Sequence, residues 1–516
     1  MLQPLPTPDE IAVWEKETIS TIGIPGLTLM ESASRQVVSI LLEEYGQIDG
    51  ANIFCFAGAG NNAGDTFAIA RQLQDLGGNV IVFHSKNKKQ YRGDTRKNLI
   101  WAHKLDVPFR HIGSSDLSRF GHPDIVIDGL LGTGFQGPLR KDFLELVQFI
   151  NIQSQHAYIL SVDLPSGLNG LTGLPDPEAV RATCTVTFEA PKLGLVFPEA
   201  QKYTGKIHVC GIGIPKSIQR LSPPRHYLIS HEAMDNIPKS SPDIHKGKAG
   251  RILIIGGSLG LTGAPHLAAM GALRSGAGLV TIACPGGLMS EIKAGSPDIM
   301  IFPLGKGEHW TPGMAETLLE NLSDYDAVVV GPGLGRAPKT VDFLKGFIAQ
   351  CTAQTVLDAD ALFGISHFPE MLKDLTDSMI LTPHPGEMAT LMHTSIQHIQ
   401  KDRLACSRQF VDRSNATLVL KGAGTLISNT TMTCLSPFAE PNLAVGGSGD
   451  VLSGIIASLV ARDLNPFTAA CTAVYWHGFT GRLLKNEFPA RGNLATDIAN
   501  RLPQAVKQHT KEFSSC

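Results

Sequence analysis

No CxxC pair occurs anywhere in the chain, and its nine cysteines are scattered and odd in number. That argues against a structural zinc site or a disulfide framework, and for reduced thiols in a cytoplasm-like compartment. No apolar run reaches the ~20 residues needed to span a bilayer; the longest, such as residues 451–460, stop well short. The opening stretch MLQPLPTPDEIAVWEKE has prolines and early acidic residues where a signal peptide needs a basic end and an apolar run, so no export is expected. Charge of one sign is also missing. A formal net charge of -3 over 516 residues leaves no basic footprint for nucleic acid and no acidic tail. The expectation is a soluble, cytoplasmic protein with small-molecule partners, long enough for roughly two to four domains.

Glycine is what the chain has in quantity. Its 53 glycines gather after apolar runs rather than in linkers, the pattern of tight turns at strand ends, which favours α/β folds. In the first half, apolar positions at helical spacing over residues 9–45 predict two helices broken by Gly23, Pro25 and Gly26. Residues 51–57 read as a strand, 58–65 (GAGNNAGD) as a loop and 67–76 as a helix. Further strands are expected at 79–84, 124–128, 158–163, 184–189 and 206–210. Asp128 leads into GLLGTGFQGP and Asp163 into LPSGLNG, so carboxylates and glycines collect at the carboxyl ends of strands, where open parallel sheets bind ligands.

The GNNAGD loop is not the dinucleotide fingerprint GxGxxG. An amide carbonyl, a carboxylate and a hydroxyl are hard oxygen donors, so Asn62, Asp128 and Ser166 are cation candidates. The alternative is that Asn62 and Ser166 cap helices and Asp128 sits in a turn.

GNNAGD, DGLLGTGFQGP and SVDLPSGLNG, in this order and spacing, resemble the motifs of NAD(P)H-hydrate epimerases, over roughly residues 1–215. The resemblance implies a Rossmann-like three-layer fold, with the hydrated cofactor contacted by Asn61, Asn62, Ala63, Gly64, Asp65, by Gly132, Thr133, Gly134, Phe135, Gln136, Gly137, Pro138, and by Asp163. It also implies potassium among Asn62, Asp128 and Ser166, with Asp163 the residue for proton transfer at the hydrated ring carbon. Two positions depart from the family pattern. Thr66 stands where a glycine usually follows the loop aspartate, so either the backbone there is ordinary or the loop is altered. Ser32 replaces the amide of the family's LMENAG stretch.

Prolines at 215, 223, 224, 238 and 242 break the pattern between residues 213 and 247, disfavouring helix and central strand. The division into domains 1–220 and 221–516 is placed there. Beyond it the βα pattern resumes. Strands are expected at 251–257, 279–284, 327–330 before GPGLG, 355–357 before DADAL, 379–381 before TPHPGEM, and 418–420 before KGAGT, with a helix at 265–274. Each delivers its motif to the same sheet edge.

The stretch NLAVGGSGDVLSGIIASLV (residues 442–460) organises this half. Gly446, Gly447 and Gly449 lead into Asp450 and an apolar helix, a helix start whose unpaired N–H groups and dipole favour an anion. Asp450 is positioned to take a proton from a hydroxyl while those amides hold a transferring phosphoryl group. Lys421, with the backbone N–H groups of Gly422, Ala423 and Gly424, suits nucleotide phosphates. His384, held between two prolines, can hydrogen-bond a substrate. Glu387, Asp358 and Asp360 are either metal-directed or capping residues.

The set KGKAGRILIIGGS, LTGAP, GPGLG, DADAL, LTPHPGE, LKGAGT and GGSGD resembles ADP-dependent NAD(P)H-hydrate dehydratases, over roughly residues 246–508. This implies a ribokinase-like α/β fold, with Ala264, Gly333, His384 and Asp450 on the hydrated nucleotide, and Lys421, Gly422, Ala423, Gly424, Thr425 and Gly449 on ADP, assisted by Mg2+. The substrates implied are NADHX and NADPHX, and a homo-oligomer is expected. Competing readings are a ribokinase-like small-molecule kinase, which GGSGD would serve equally well, and an N-terminal domain that binds a nucleotide or a partner without catalysis.

Overall fold

The computed structural model describes residues 2–513 apart from 113–116, 136, 240 and 242–244. Two compact units result, one of residues 4–226 and one of residues 227–516 joined by the first residues of the chain. The division therefore falls a little beyond the boundary expected near 220.

The N-terminal unit is built on a seven-stranded sheet. In spatial order its strands are Phe109–His111, Asn79–His84, Asn52–Ala57, Ile125–Gly129, Tyr158–Val162, Cys184–Phe188 and Lys206–Cys210, all parallel. Central strands are continuous apolar runs because both faces are covered. Ile53, Cys55 and Ala57 pack with Val37 of helix Gly26–Tyr45 and Phe67 of helix Asn61–Asp75. Phe54 and Phe56 turn to the opposite face, towards Phe143, Leu146 and Ile150 of helix Lys141–Gln153. Chain order reverses between Asn52–Ala57 and Ile125–Gly129, the switch point at which such sheets open a crevice.

The helix after the first sheet strand starts at Asn61 rather than at residue 67. GNNAGD looks like a loop because glycine and asparagine are poor helix formers, but a first turn has unpaired N–H groups and tolerates them. Thr66 consequently has ordinary helical backbone, and its Oγ1 donates to the Asn62 carbonyl at 2.7 Å.

The C-terminal unit holds eleven strands in the order Leu2–Pro4, His226–Ile229, Thr433–Leu435, Leu426–Ser428, Thr417–Leu420, Met379–Leu381, Gln354–Leu357, Ala327–Val330, Arg251–Ile255, Leu279–Pro285 and Met300–Leu304. The last seven run parallel, and the hairpin from Thr417 to Leu435 is antiparallel. A strand at His226–Ile229 was not expected in the proline-rich junction. Pro223 and Pro224 precede it rather than interrupt it, so no ladder donor is lost.

Helix Ser448–Val460 is buried along residues 451–460. It lies against helix Gly263–Arg274 at backbone range: a Cβ on Gly454 would fall 2.0 Å from the Ala268 carbonyl, and one on Gly271 would fall 2.3 Å from that of Val451. This fixes the helix start that carries Asp450. Among the described residues no helix is long and apolar enough to cross a membrane.

Candidate active sites

In the C-terminal unit, successive parallel strands end in Asp358, His384 and Lys421, and helix Ser448–Val460 brings Gly449 and Asp450 to the same edge. These residues line one cavity of about 670 Å³, a size suited to a nucleotide-like ligand. Lys421 Nζ donates to Asp358 Oδ1 at 2.9 Å, and Ser453 Oγ donates to Asp358 Oδ2 at 2.6 Å. Burial pushes the Asp358 carboxyl up, but the Lys421 charge and these hydrogen bonds outweigh it and hold the group below its usual range. Burial likewise works against the Lys421 ammonium, and Asp358 and Glu387 reverse that. Asp358 thus serves to fix Lys421.

Asp450 is the opposite case. Burial first, then the negative charge of Asp358, push its carboxyl up to about 8 against the pull of Lys421, with Glu387 and Asp360 adding to the rise. A carboxyl that changes protonation near neutrality beside a fixed ammonium has the balance a general base needs. A Cβ on Gly449 would sit 2.9 Å from Lys421 Nζ, so a side chain there would displace the ammonium.

His384 caps helix Pro385–Leu391. Its Nδ1 accepts from the Gly386 and Glu387 N–H groups at 2.9 and 3.2 Å, while Glu387 Oε2 accepts from the His384 N–H at 2.8 Å. Glu387 thus caps the helix and also lies 3.9 Å from Lys421. With Nδ1 accepting, Nε2 is the ring nitrogen left to donate, and it lies 3.4 Å from Glu387 Oε1. Asp360 accepts from Gly335 N–H at 2.9 Å and Arg336 Nε at 2.7 Å, tying DADAL to GPGLG.

The other expected positions divide. Gly422, Ala423 and Thr425 line the cavity. The Gly424 N–H, expected to hold phosphate, donates to Phe438 O at 2.9 Å. Ala264 and Gly333 are brought together, a Cβ on Gly333 falling 3.3 Å from that of Ala264. They sit after strands Arg251–Ile255 and Ala327–Val330, where strand order reverses, and not on the cavity of Lys421 and Asp450. His477 was missed. It lies inside the apolar helix Pro466–Leu484, lines the cavity, and has its Nε2 3.2 Å from Ser448 Oγ. Burial and the Lys421 charge push it down to about 4.

In the N-terminal unit, a cavity of about 560 Å³ opens at the switch point, lined by Glu15, Asn61, Asn62, Gly132, Thr133 and Phe135 among others. Gly134 and Pro138 also face it. Ala63 and Gly64 are buried in the helix, where a Cβ on Gly64 would fall 2.6 Å from Met30 Sδ. Gly137 has φ +81°; Gln136 lies outside the described residues.

Asn62, Asp128 and Ser166 do converge. Asn62 Nδ2 donates to Leu131 O and Val162 O at 3.0 and 2.9 Å; Leu131 N–H donates to Ser166 Oγ at 2.9 Å. Asp128, fully buried, accepts from Ser161 Oγ at 2.8 Å, from Ser166 N–H at 2.9 Å, and from Ser166 Oγ. Burial pushes its carboxyl up despite these bonds. The plain helix-cap reading of Asn62 and Ser166 does not describe this arrangement.

Asp163 has φ +70°, a left-handed backbone uncommon outside glycine. Its carboxylate is salt-bridged to Lys192, whose Nζ also donates to Thr187 Oγ1 at 3.0 Å and Phe188 O at 3.2 Å. Lys192, 1% exposed, was not foreseen. Its only signal is its place at the carboxyl end of strand Cys184–Phe188. Asp65 is pushed well above the usual carboxyl range, by burial and then by Asp163 and Glu15.

Each unit thus has a parallel set of strands in an α/β sheet with a pocket at its carboxyl edge, the second with the ammonium and acid–base pair of a phosphoryl-handling site. A family model described as NAD(P)H-hydrate dehydratase matches residues 252–504, and one described as YjeF-related protein N-terminus matches residues 26–194. A bifunctional NAD(P)H-hydrate repair enzyme from Moorella thermoacetica is 36% identical over 99% of this chain and 98% of its own. The enzyme of that name from Escherichia coli K12 is 32% identical over 96% and 93%. A solved ADP/ATP-dependent NAD(P)H-hydrate dehydratase from Bacillus subtilis, co-crystallised with ATP and Mg2+, is 27% identical, covers 55% of this chain and 98% of its own, and superposes with a TM-score of 0.46. The chain belongs to the bifunctional NAD(P)H-hydrate repair enzymes.

Proposed function

We propose that the chain restores hydrated NADH and NADPH in the cytoplasm: its C-terminal unit dehydrates the S form at the expense of ADP, and its N-terminal unit interconverts R and S. The observation that carries the dehydratase assignment is Asp450 beside the Lys421–Asp358 pair at a glycine-led helix start, within one cavity.

A hydroxyl on C6 of the reduced ring is a poor leaving group, and phosphorylation makes it a good one. Asp450 accepts the hydroxyl proton as the β-phosphoryl of ADP transfers to that oxygen, leaving AMP. Lys421 and the amides of Gly422, Ala423 and Gly449 hold the phosphates, and His384 presents Nε2–H to the substrate. Phosphate then departs as the ring nitrogen supplies electrons, and loss of a proton from C5 regenerates the reduced ring. Positioned acid–base residues of this kind contribute about 10²–10⁴-fold. The described residues contain no cluster of three or more metal-ligating side chains, so Mg2+ would be held by the diphosphate and, through water, by Glu387. Bound there, it would neutralise the phosphates' charge.

In the N-terminal unit, the buried Asp128 carboxylate and the Ser166 hydroxyl stand beside the Leu131 and Val162 carbonyls, both of which accept from Asn62 Nδ2, and turning that amide to present Oδ1 would complete a set of hard oxygen donors. This chemistry fits potassium held by Asn62, Asp128 and Ser166, which would supply fixed positive charge beside the substrate loops. Asp163 transfers a proton at the hydrated ring carbon.

The test is the return of reduced-nicotinamide absorbance from a mixture of R and S NADHX given ADP, Mg2+ and K+, faster than spontaneous epimerisation. Rapid, complete recovery is expected. Recovery of the S fraction alone would remove the epimerase assignment, and a stable phosphorylated product would replace the dehydratase with a small-molecule kinase.

A further inference from the structure

Among the described residues, the epimerase pocket has more carboxyl groups than its one buried cation, Lys192, can neutralise. Lys192 has its hydrogen bonds directed to Asp163, Thr187 and Phe188. Asp65 and Glu15 remain as further carboxyls coupled to Asp163. Of the three, Glu15 is the one whose residue lines the cavity, facing Asn61, Asn62 and the Gly132–Phe135 stretch from helix Pro8–Glu17. Asp163 lies deeper, 6% exposed, directly after the Val162 carbonyl that holds Asn62.

Inverting C6 of a hydrated ring takes two proton transfers. The hydroxyl must be protonated to leave as water, with the ring nitrogen's lone pair forming the C=N bond. Water must then lose a proton as it adds to the other face. One carboxylate tied to an ammonium cannot supply the first of these. Resting on the epimerase reading above, we propose that Glu15 is the second catalytic residue of this site, donating the proton to the departing C6 hydroxyl, while Asp163, salt-bridged to Lys192, takes a proton from the water that returns. The net change is inversion at C6 with one proton moved from Glu15 to Asp163. Exchange with solvent resets the pair, and the S-to-R direction runs the roles in reverse.

Two environments for two carboxyls are the arrangement that separates acid from base. Burial and the charge of Asp163 push the Glu15 carboxyl up, and Lys192 opposes this only in part. The charged groups at the site are Asp163, Asp65 and Lys192, with Arg140 on the cavity wall.

The experiment uses the full chain with pure R-NADHX or pure S-NADHX, ADP, Mg2+ and K+. For Glu15→Gln we expect recovery from R-NADHX to slow by about 10²-fold or more, with kcat reduced far more than KM changes. Recovery from S-NADHX, which needs only the C-terminal unit, should be unchanged. The alkaline fall of the epimerase pH–rate profile should disappear in Glu15→Gln and return in Glu15→Asp, which also guards against a folding artefact. A Glu15→Gln chain that converts R-NADHX at the unaltered rate would overturn this proposal alone, as would slowing that leaves the pH profile unmoved. An unaltered chain that cannot convert R-NADHX would overturn the epimerase reading and this proposal with it.

Discussion

Lys421 Nζ stands 2.9 Å from Asp358 Oδ1, with the Asp358 side chain 1% exposed and that of Lys421 18% exposed. The pair is neutral as a unit and sets where the ammonium points. Removing one partner of such a pair leaves an uncompensated charge, at a cost of about 3–5 kcal/mol. Asp358→Ala should therefore lower the unfolding temperature of the C-terminal unit markedly. Adding Lys421→Met to it should recover part of the loss, whereas activity stays lost in both. Additive losses in calorimetry would mean that the two side chains are not coupled.

His384 separates capping from catalysis. Because Nδ1 accepts two helix N–H groups, alanine should cost roughly 1 kcal/mol while asparagine keeps most of the cap. Both lose Nε2–H, so both should raise KM for S-NADHX by about tenfold, the cost of one lost hydrogen bond of ~1.4 kcal/mol. If His384→Asn retains the normal KM, the histidine is only a cap.

The helix carrying Asp450 depends on two glycines. With a Cβ at residue 454 only 2.0 Å from the Ala268 carbonyl, Gly454→Ala must separate two buried helices. Overpacking of this kind costs about 1–3 kcal/mol, and the displaced helix start should cut dehydratase turnover as well. Thermal melts and S-NADHX assays on the same preparation check both effects.

Much of this architecture is legible in the residues. Apolar runs closed by glycine-rich turns gave strands such as Ala327–Val330 and Met379–Leu381 at their observed bounds, because a strand buried on both faces writes itself as an uninterrupted run. Cation candidates Asn62, Asp128 and Ser166 could be named since hard-oxygen chemistry is a property of the residue type. Their companions could not. Glu15 is one acid among several on helix Pro8–Glu17, Lys192 one lysine after a strand, and His477 one histidine in an apolar helix. Each gains its role from elements distant in sequence. Leu2–Pro4, a three-residue edge strand, is too short to carry any periodicity.

With its carboxyl pushed up to about 8, chiefly by burial and by Asp358, Asp450 holds its proton at pH 6 to 7 and cannot accept the substrate's. Dehydration of S-NADHX should then rise about tenfold per pH unit below that value and level off above it. Asp450→Asn should be about 10² to 10⁴-fold slower, with this rising limb gone. Stability runs the other way. The folded state binds the proton more tightly than the unfolded chain, so the contribution of this group is intact below the ordinary carboxyl range and is lost as pH rises through about 8. Asp450→Asn escapes that loss, and its melting temperature should exceed that of the unaltered chain by a margin that grows from pH 5 to pH 9. Lys421→Met removes the charge of Lys421 that lowers the carboxyl and should move any residual rate limb to higher pH. A rate limb that stays in place in Lys421→Met, or a melting-temperature margin independent of pH, would mean that the titrating group is not Asp450.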